Sequence, residues 1–440
     1  MRLLSSILIV TSLYTLSQAS AMADDLHSVY MLAKQSDPQL RAAVAAHSAA
    51  LEVVPQSRAV LLPNIGLSGN VSRDRFHDRA PLPGDKENSY ATNKTFGVDL
   101  RQTLFRRDRF IQLEQADNRV AQADAELAVS VQDLILRAAT RYFLVLGTLD
   151  NLEFVKADKE AIARTLDQAQ QRFEVGLTAI TDVHEAQARY DIAVSDEINA
   201  EKELDDAREA LRELTSEMPG SVEVLQPEIP LVAPDPADQE QWVKTALDQN
   251  PLLLAAQAVT EAARNEIRVQ RAAHYPSVDL TASHSYRDNR FGGLTDLKRN
   301  DSAVGVELSL PLYQGGLVTS RTRQSRHQLT QSQEDMLRQQ REIERQARNT
   351  YRGVITGISR IKALAQAVVS NETALEAATT GLEVGTRTTV DVLDAQRELL
   401  RAKRDHARAR YDYLLDTLRL KQAAGILGEA DLEALNALLQ

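Results

Sequence analysis

Cysteine is absent from all 440 residues, which rules out disulfides and thiolate-held metals. Aromatic residues make up only 5% and tryptophan occurs once, at Trp242, so no thick globular core is expected despite a 43% hydrophobic content. Beyond the N-terminus no apolar run reaches the roughly 18 residues that a bilayer-crossing helix needs. The eight histidines are scattered, with no HExxH spacing, and neither GxGxxG nor GxxxxGKS occurs. The chain therefore offers no zinc cluster and no phosphate cradle, and no cofactor is expected. A net charge of −11 without a basic stripe argues against nucleic acid. Proline is missing from 85–218 and from 312–440, so helices in those tracts can run unbroken.

The N-terminus carries Arg2, an apolar run from Leu3 to Leu16, and Ala21-Met22-Ala23 before Asp24-Asp25. That is a secretory signal peptide over 1–23, with the mature chain starting near Asp24. Beyond it Ala, Leu, Gln, Arg and Glu dominate, the composition of long exposed helices. Helical tracts are predicted over about 26–61, 109–172, 182–214, 242–275, 317–382 and 390–424. At 1.5 Å per residue the two longest reach on the order of 90–100 Å, too long to be buried in a globule. Apolar steps of three and four, as in Val183, Ala186, Tyr190 and Val194 or Val392, Ala395, Leu399 and Ala402, suit packing against parallel neighbours.

Two stretches organise the chain, EVGLTAITDVHEAQ at 174–187 and EVGTRTTVDVLDAQ at 383–396. In each, Gly176 or Gly385 can close one helix in the left-handed conformation, and Thr181 or Thr388 can cap the next. The correspondence continues outward: Asp37-Pro38 matches Asn250-Pro251, and Leu62-Pro63 matches Tyr275-Pro276. The chain is an internal duplication, with repeats at 24–218 and 242–425, a proline-rich linker at 219–241 and a closing segment at 426–440.

After Pro63 and Pro276 the hydrophobic period changes to two. Ile65, Leu67, Gly69 and Val71 alternate with polar residues, as do Val278, Leu280 and Ala282. Polar loops are predicted at 73–94 and 287–301, after which Phe96, Val98, Leu100 and Leu104, then Val304, Val306, Leu308, Leu310 and Leu312, resume the alternation. Each repeat thus holds one hairpin of strands about 9–11 residues long. Alternation alone fits a membrane barrel or an ordinary two-layer β structure equally. In a membrane, four strands cannot close a barrel, and lipid tolerates no open sheet edge, so strands would have to be shared between chains.

The signal segment, the repeated halves, the turns VGLTAITDV and VGTRTTVDVLDAQ, and LSLPLYQGG before a long helix together resemble the TolC family of outer-membrane channel proteins. The likeness spans essentially the whole mature chain. It implies an α+β membrane protein: a homotrimer with a 12-stranded outer-membrane β-barrel, four strands per chain, continuous with a periplasmic α-helical tunnel. It further implies a passive exit duct of a tripartite export system, for small toxic compounds in efflux or proteins in type I secretion. Its implied partners are a periplasmic adaptor (membrane fusion) protein and an inner-membrane transporter of RND or ABC type. Residue by residue, the resemblance implies that Asp391 and Asp394 ring the narrow periplasmic entrance, where multivalent cations could block it. Thr181, Asp182 and Arg387 match links that hold the entrance shut. Val175, Gly176, Leu177, Val384, Gly385 and Thr386 match tip turns that adaptors contact. Leu382 departs from the pattern, standing where the best-known members have a tyrosine bonded to the aspartate at 182, so a weaker closed state is expected.

Taken on one chain, Asp391 is a first-turn charge facing the helix dipole and Asp394 a solvated one; only threefold symmetry would gather them into rings. An exported coiled-coil scaffold without a pore remains a second reading of the same pattern. A hydrolase using the two aspartates lacks any nucleophile or metal-ligand cluster, and the chain is not expected to be an enzyme.

Overall fold

The computed structural model describes residues 25–77, 88–217, 220–291 and 297–440, so the expected signal segment lies outside the described residues. Helices α1 (Leu26–Ser36), α2 (Pro38–Leu51) and α3 (Val53–Ala59) lead into strands β1 (Asn64–His77) and β2 (Asn88–Arg106). The 68-residue α4 (Arg107–Glu174) and its return α5 (Ile180–Thr215) follow. The second half repeats this order with α6 (Gln239–Gln249), α7 (Pro251–Ala272), β3 (Ser277–Phe291), β4 (Leu297–Ser309), the 67-residue α8 (Leu317–Glu383) and α9 (Thr389–Ala423). Helix α10 (Glu429–Asn436) closes the chain. The fold is α+β and internally duplicated.

Within the helical tracts expected over 26–61 and 242–275, a new helix starts at each of the matched prolines, Pro38 and Pro251. Asp37 and Asn250 adopt extended backbone and cap the following helix, accepting from the Leu40 N–H at 2.8 Å and the Leu252 N–H at 3.0 Å. Proline in the first turn loses no bond, because that N–H has no helical partner. Asp37 is gripped further by the Arg137 guanidinium at 2.8 and 3.2 Å, which ties α2 to α4.

The strands form one antiparallel sheet in the order β1-β2-β3-β4. At 14, 19, 15 and 13 residues they exceed the expected length, and the expected loops are strand wherever they are described, 78–87 and 292–296 lying outside the described residues: Arg73 pairs with Thr92 and Arg287 with Arg299. Side chains there are polar on both faces and give no alternation, yet the backbone ladder continues regardless. Register aligns Ile65, Leu100, Ala282 and Val304 on one face, and next to them Leu67, Val98, His284 and Ser302. This face is bare: Leu67 is 84% and Val304 79% exposed. On the opposite face Arg101 reaches Asp279 at 2.9 Å and Glu307 at 3.5 Å. A bulge at Thr103/Phe105 puts Phe105, rather than the expected Leu104, opposite Val278. Strands β1 and β4 are left as open edges.

Among the described residues no helix is long and apolar enough to cross a membrane. The main core lies midway along the long helices, where α1, α4, α5, α9 and α10 meet around Tyr30, Leu134, Tyr142, Leu146, Leu211, Leu418 and Leu432. The aromatics that are buried among the described residues gather there. Tyr142 donates to the Glu223 carbonyl at 2.9 Å, Tyr30 to Glu429 at 2.9 Å, and Tyr411 to Asp150 at 2.7 Å while stacking on Phe143. Each buried hydroxyl thus keeps a partner.

Candidate functional site: the helix tips

Far from the sheet, α4 turns into α5 and α8 into α9 through two matching turns. Gly176 has φ 78°, with the Leu177 N–H donating to the Arg172 carbonyl at 2.8 Å. Gly385 has φ 77°, with the Thr386 N–H donating to the Gly381 carbonyl at 2.8 Å. Both are six-to-one helix closures that need a left-handed residue. A Cβ built on either glycine meets nothing within 4 Å, so the tips stand clear of the rest of the chain. Val175, Leu177 and Val384 around them are 69, 72 and 70% exposed. Apolar side chains held out on rigid turns are poised for contact rather than for packing within the chain.

Helix α9 begins with a reciprocal cap. The Thr388 hydroxyl accepts from the Asp391 N–H at 3.2 Å, and the Asp391 carboxylate accepts from the Thr388 N–H at 2.8 Å. Those bonds from Thr388, with the Arg387 charge beside them, hold the Asp391 carboxyl below its ordinary range. The twin turn differs. Thr181 does not cap α5, whose N-cap is Ala179; instead the Thr178 hydroxyl donates to the Asp182 carboxylate, and Thr181 reaches it at 3.4 Å. With Thr at 178 one turn earlier, the carboxylate is taken up locally and Thr181 lies inside the helix.

Within one chain Arg387 does not meet Thr181 or Asp182. Its guanidinium lies 3.7 Å from Asp391, four residues on, and its aliphatic stem lies across Gly381. A Cβ at Gly381 would come within 2.6 Å of the Arg387 Cγ, so this glycine is what lets the arginine fold back. Asp394 is also paired: Arg189 of α5 donates to it at 3.1 Å, and Arg397 lies 3.4 Å away. Next to it Gln396 of α9 donates to the Asp158 carboxylate of α4 at 2.9 Å. Burial raises the Asp158 pKa, the Gln396 bond works against that rise, and the nearby Asp196 charge adds to it. Leu382 is half-buried and lines a groove between α4 and the α8–α9 pair with Leu375, Val392 and Leu399.

Thus the structure brings α4, α5 and α9 together through Arg189–Asp394 and Gln396–Asp158, links the sequence reading did not contain. Gly381 had a visible signal, a glycine inside an otherwise strong helix just before a turn. Arg189 had none, because the register between helices of different repeats is a property of packing.

A bare-faced antiparallel sheet, joined to helix pairs on the order of 100 Å long that end in exposed apolar turns, defines a tunnel-type outer-membrane protein. The chain belongs to the outer membrane efflux protein family, whose profile matches residues 29–217 and 242–426. It is 39% identical to the outer membrane protein TolC of Vibrio cholerae, over 99% of this chain and 98% of that protein. It is 31% identical to the alkaline protease secretion protein AprF of Pseudomonas aeruginosa, over 96% of this chain and 89% of that protein. Among solved structures it shares its fold with the outer membrane protein VceC of Vibrio cholerae, with a TM-score of 0.75 at 22% identity over 91% of this chain and 96% of that one. The chain is an outer-membrane exit duct for efflux or secretion, working with partner proteins, and it is not an enzyme. The pore-less scaffold and the hydrolase readings are set aside on this ground.

Proposed function

We propose that three copies assemble into one duct, each giving four strands to a closed 12-stranded barrel and two helix pairs to a tunnel below it. The observation that supports this most is the sheet itself. It has two open edges and an apolar face with Leu67 at 84% exposure, and in lipid each unpaired edge group costs several kcal/mol. Repeats at 24–218 and 242–425, the linker 219–241 and the segment 426–440 are the units of this assembly, and 1–23 is removed on export.

At the far end, Val175, Gly176, Leu177, Val384, Gly385 and Thr386 form the surface that a periplasmic adaptor contacts. That adaptor couples the duct to an inner-membrane transporter of RND or ABC type, which supplies the energy. Asp391 and Asp394 line the entrance, but their pairing with Arg387 and with Arg189 and Arg397 makes them weaker collectors of cations than bare carboxylate rings. Thr181, Asp182 and Arg387 act as a latch only across a chain boundary, since they do not meet within one chain. The test is conductance of the purified protein in planar bilayers, with a small closed-state conductance that rises on adding adaptor. A protein that inserts but stays silent under every condition argues against the duct with a gated tip.

A further inference from the structure

The barrel strands run on past their apolar band, and the charges there are not shared equally between the two faces. The band begins at the row of Phe105, Val278 and Leu308 and ends at the row of Phe96 and Tyr286. The next row on the same face is Val71, Lys94, Asp288 and Lys298, followed by Arg73, Thr92 and Arg290, and then Arg75 with Tyr90. Asp288 lies ten positions beyond Val278. At about 3.4 Å per residue and a strand tilt of about 40° that distance is roughly 26 Å along the membrane normal, against about 25 Å for the apolar band of a membrane barrel. These rows therefore sit at the headgroup level of the leaflet farthest from the helices, just beyond an aromatic row.

On this lipid-facing side the rows place Arg73, Lys94 and Lys298 beside a single described carboxylate, Asp288, which is buried and already bonded to Arg290 at 3.3 Å. On the inward side at the same height, Arg287 and Arg299 share the wall with Asp74, and Arg299 also pairs with Asp301 in the next inward row toward the helices. A charge excess confined to one face has no role in keeping the lumen wet. Arg73 lies over the Tyr90 ring, 5.0 Å from its centroid, which holds one cation flat against the outer wall. Lys94 and Lys298 make no ion pair among the described residues.

We propose that this outward cationic belt binds phosphate headgroups of net negative charge on outer-leaflet lipids, fixing the height of the duct in its membrane. The inference rests on the barrel reading above. The test uses Phe96→Trp, one row below Lys94 on the lipid face, as a reporter; the native Trp242 lies in α6 and is only 6% exposed. Protein is reconstituted into equal mixtures of phosphatidylcholine and phosphatidylglycerol, with brominated acyl chains on one lipid or the other.

With the belt intact, brominated phosphatidylglycerol should out-compete brominated phosphatidylcholine by about fivefold at low salt, taking one effective cation per lipid. Lys94→Gln with Lys298→Gln should bring the ratio toward one, while Lys94→Arg with Lys298→Arg should keep it. Raising salt should lower the ratio in the unmodified belt, which settles the matter even if the glutamine variant fails to insert. A ratio near one at low salt, or one indifferent to salt, overturns the belt. Absence of quenching by either lipid would instead remove the barrel reading beneath it.

Discussion

Replacing Arg189 by Gln removes the guanidinium charge that joins α5 to Asp394 of α9 while leaving Arg397 near the same carboxylate, so no charge is stranded. The pair is 3.1 Å apart with side chains 30% and 45% exposed, which places it near the upper end of the range for screened surface pairs, about 0.5–1 kcal/mol. If three tips open in concert, the three links sum to about 1.5–3 kcal/mol, a roughly 13- to 160-fold change in the open-to-closed ratio. Single-channel recording in planar bilayers at low salt should show higher open occupancy for Arg189→Gln. The gain should shrink as salt is raised, because screening weakens the link already in the wild type. Asp394→Asn should open the tip as well, and the double variant should fall short of the sum of the two. Open occupancy equal to wild type in Arg189→Gln, or strict additivity in the double variant, would refute the link.

Four further outcomes are expected. Gly381→Val should push Arg387 off its seat, because the new Cβ would clash with Cγ at 2.6 Å; amide exchange in the 381–391 turn should speed up, whereas Gly428→Val, at a glycine with nothing near its Cβ, should leave that turn unchanged. Gly176→Val with Gly385→Val forces β-branched residues to positive φ and should abolish adaptor crosslinking at the tips; normal crosslinking would remove the docking role. Thr388→Ala should cost the first turn of α9 about 1 kcal/mol, read as faster amide exchange there. Because the Asp391 pKa is lowered on folding, its share of that cap is present above its unfolded value of 3.8 and is lost as pH falls through the lower folded value. Asp158 runs the other way: its pKa is raised on folding, so its charge destabilises the fold at neutral pH and protonation relieves this as pH falls. Asp158→Asn keeps the oxygen that Gln396 needs and should raise the melting temperature at neutral pH, the difference from wild type closing below pH 3.8.

The sequence made the long helices legible because nothing interrupts them: no proline lies between 85 and 218 or beyond 311, and the glycines at 176 and 385 mark their ends. The strands were legible only where one face is apolar. From Arg73 and Arg287 onward both faces are polar, so the ladder's continuation could not be distinguished from loop. The twin turns misled at Thr181: it was expected to cap as Thr388 does, but the 209-residue offset between the turns sets Ala179 at the position of Thr388, and Thr178 takes the local acid. Arg387 was assigned its partners from a pattern that joins different helices, whereas within the chain the nearest carboxylate is four residues on. Arg189–Asp394 joins helices from the two repeats, and such pairs depend on how the repeats pack, which no single stretch encodes.

The claim on which the rest depends is that one chain's sheet is a third of a barrel. Native mass spectrometry of the protein extracted from outer membranes in mild detergent tests it directly. Three chains in one particle, stable until the detergent is made denaturing, is the expected result. A monodisperse monomer from the same membranes, or a protein that leaves them without detergent, would contradict it.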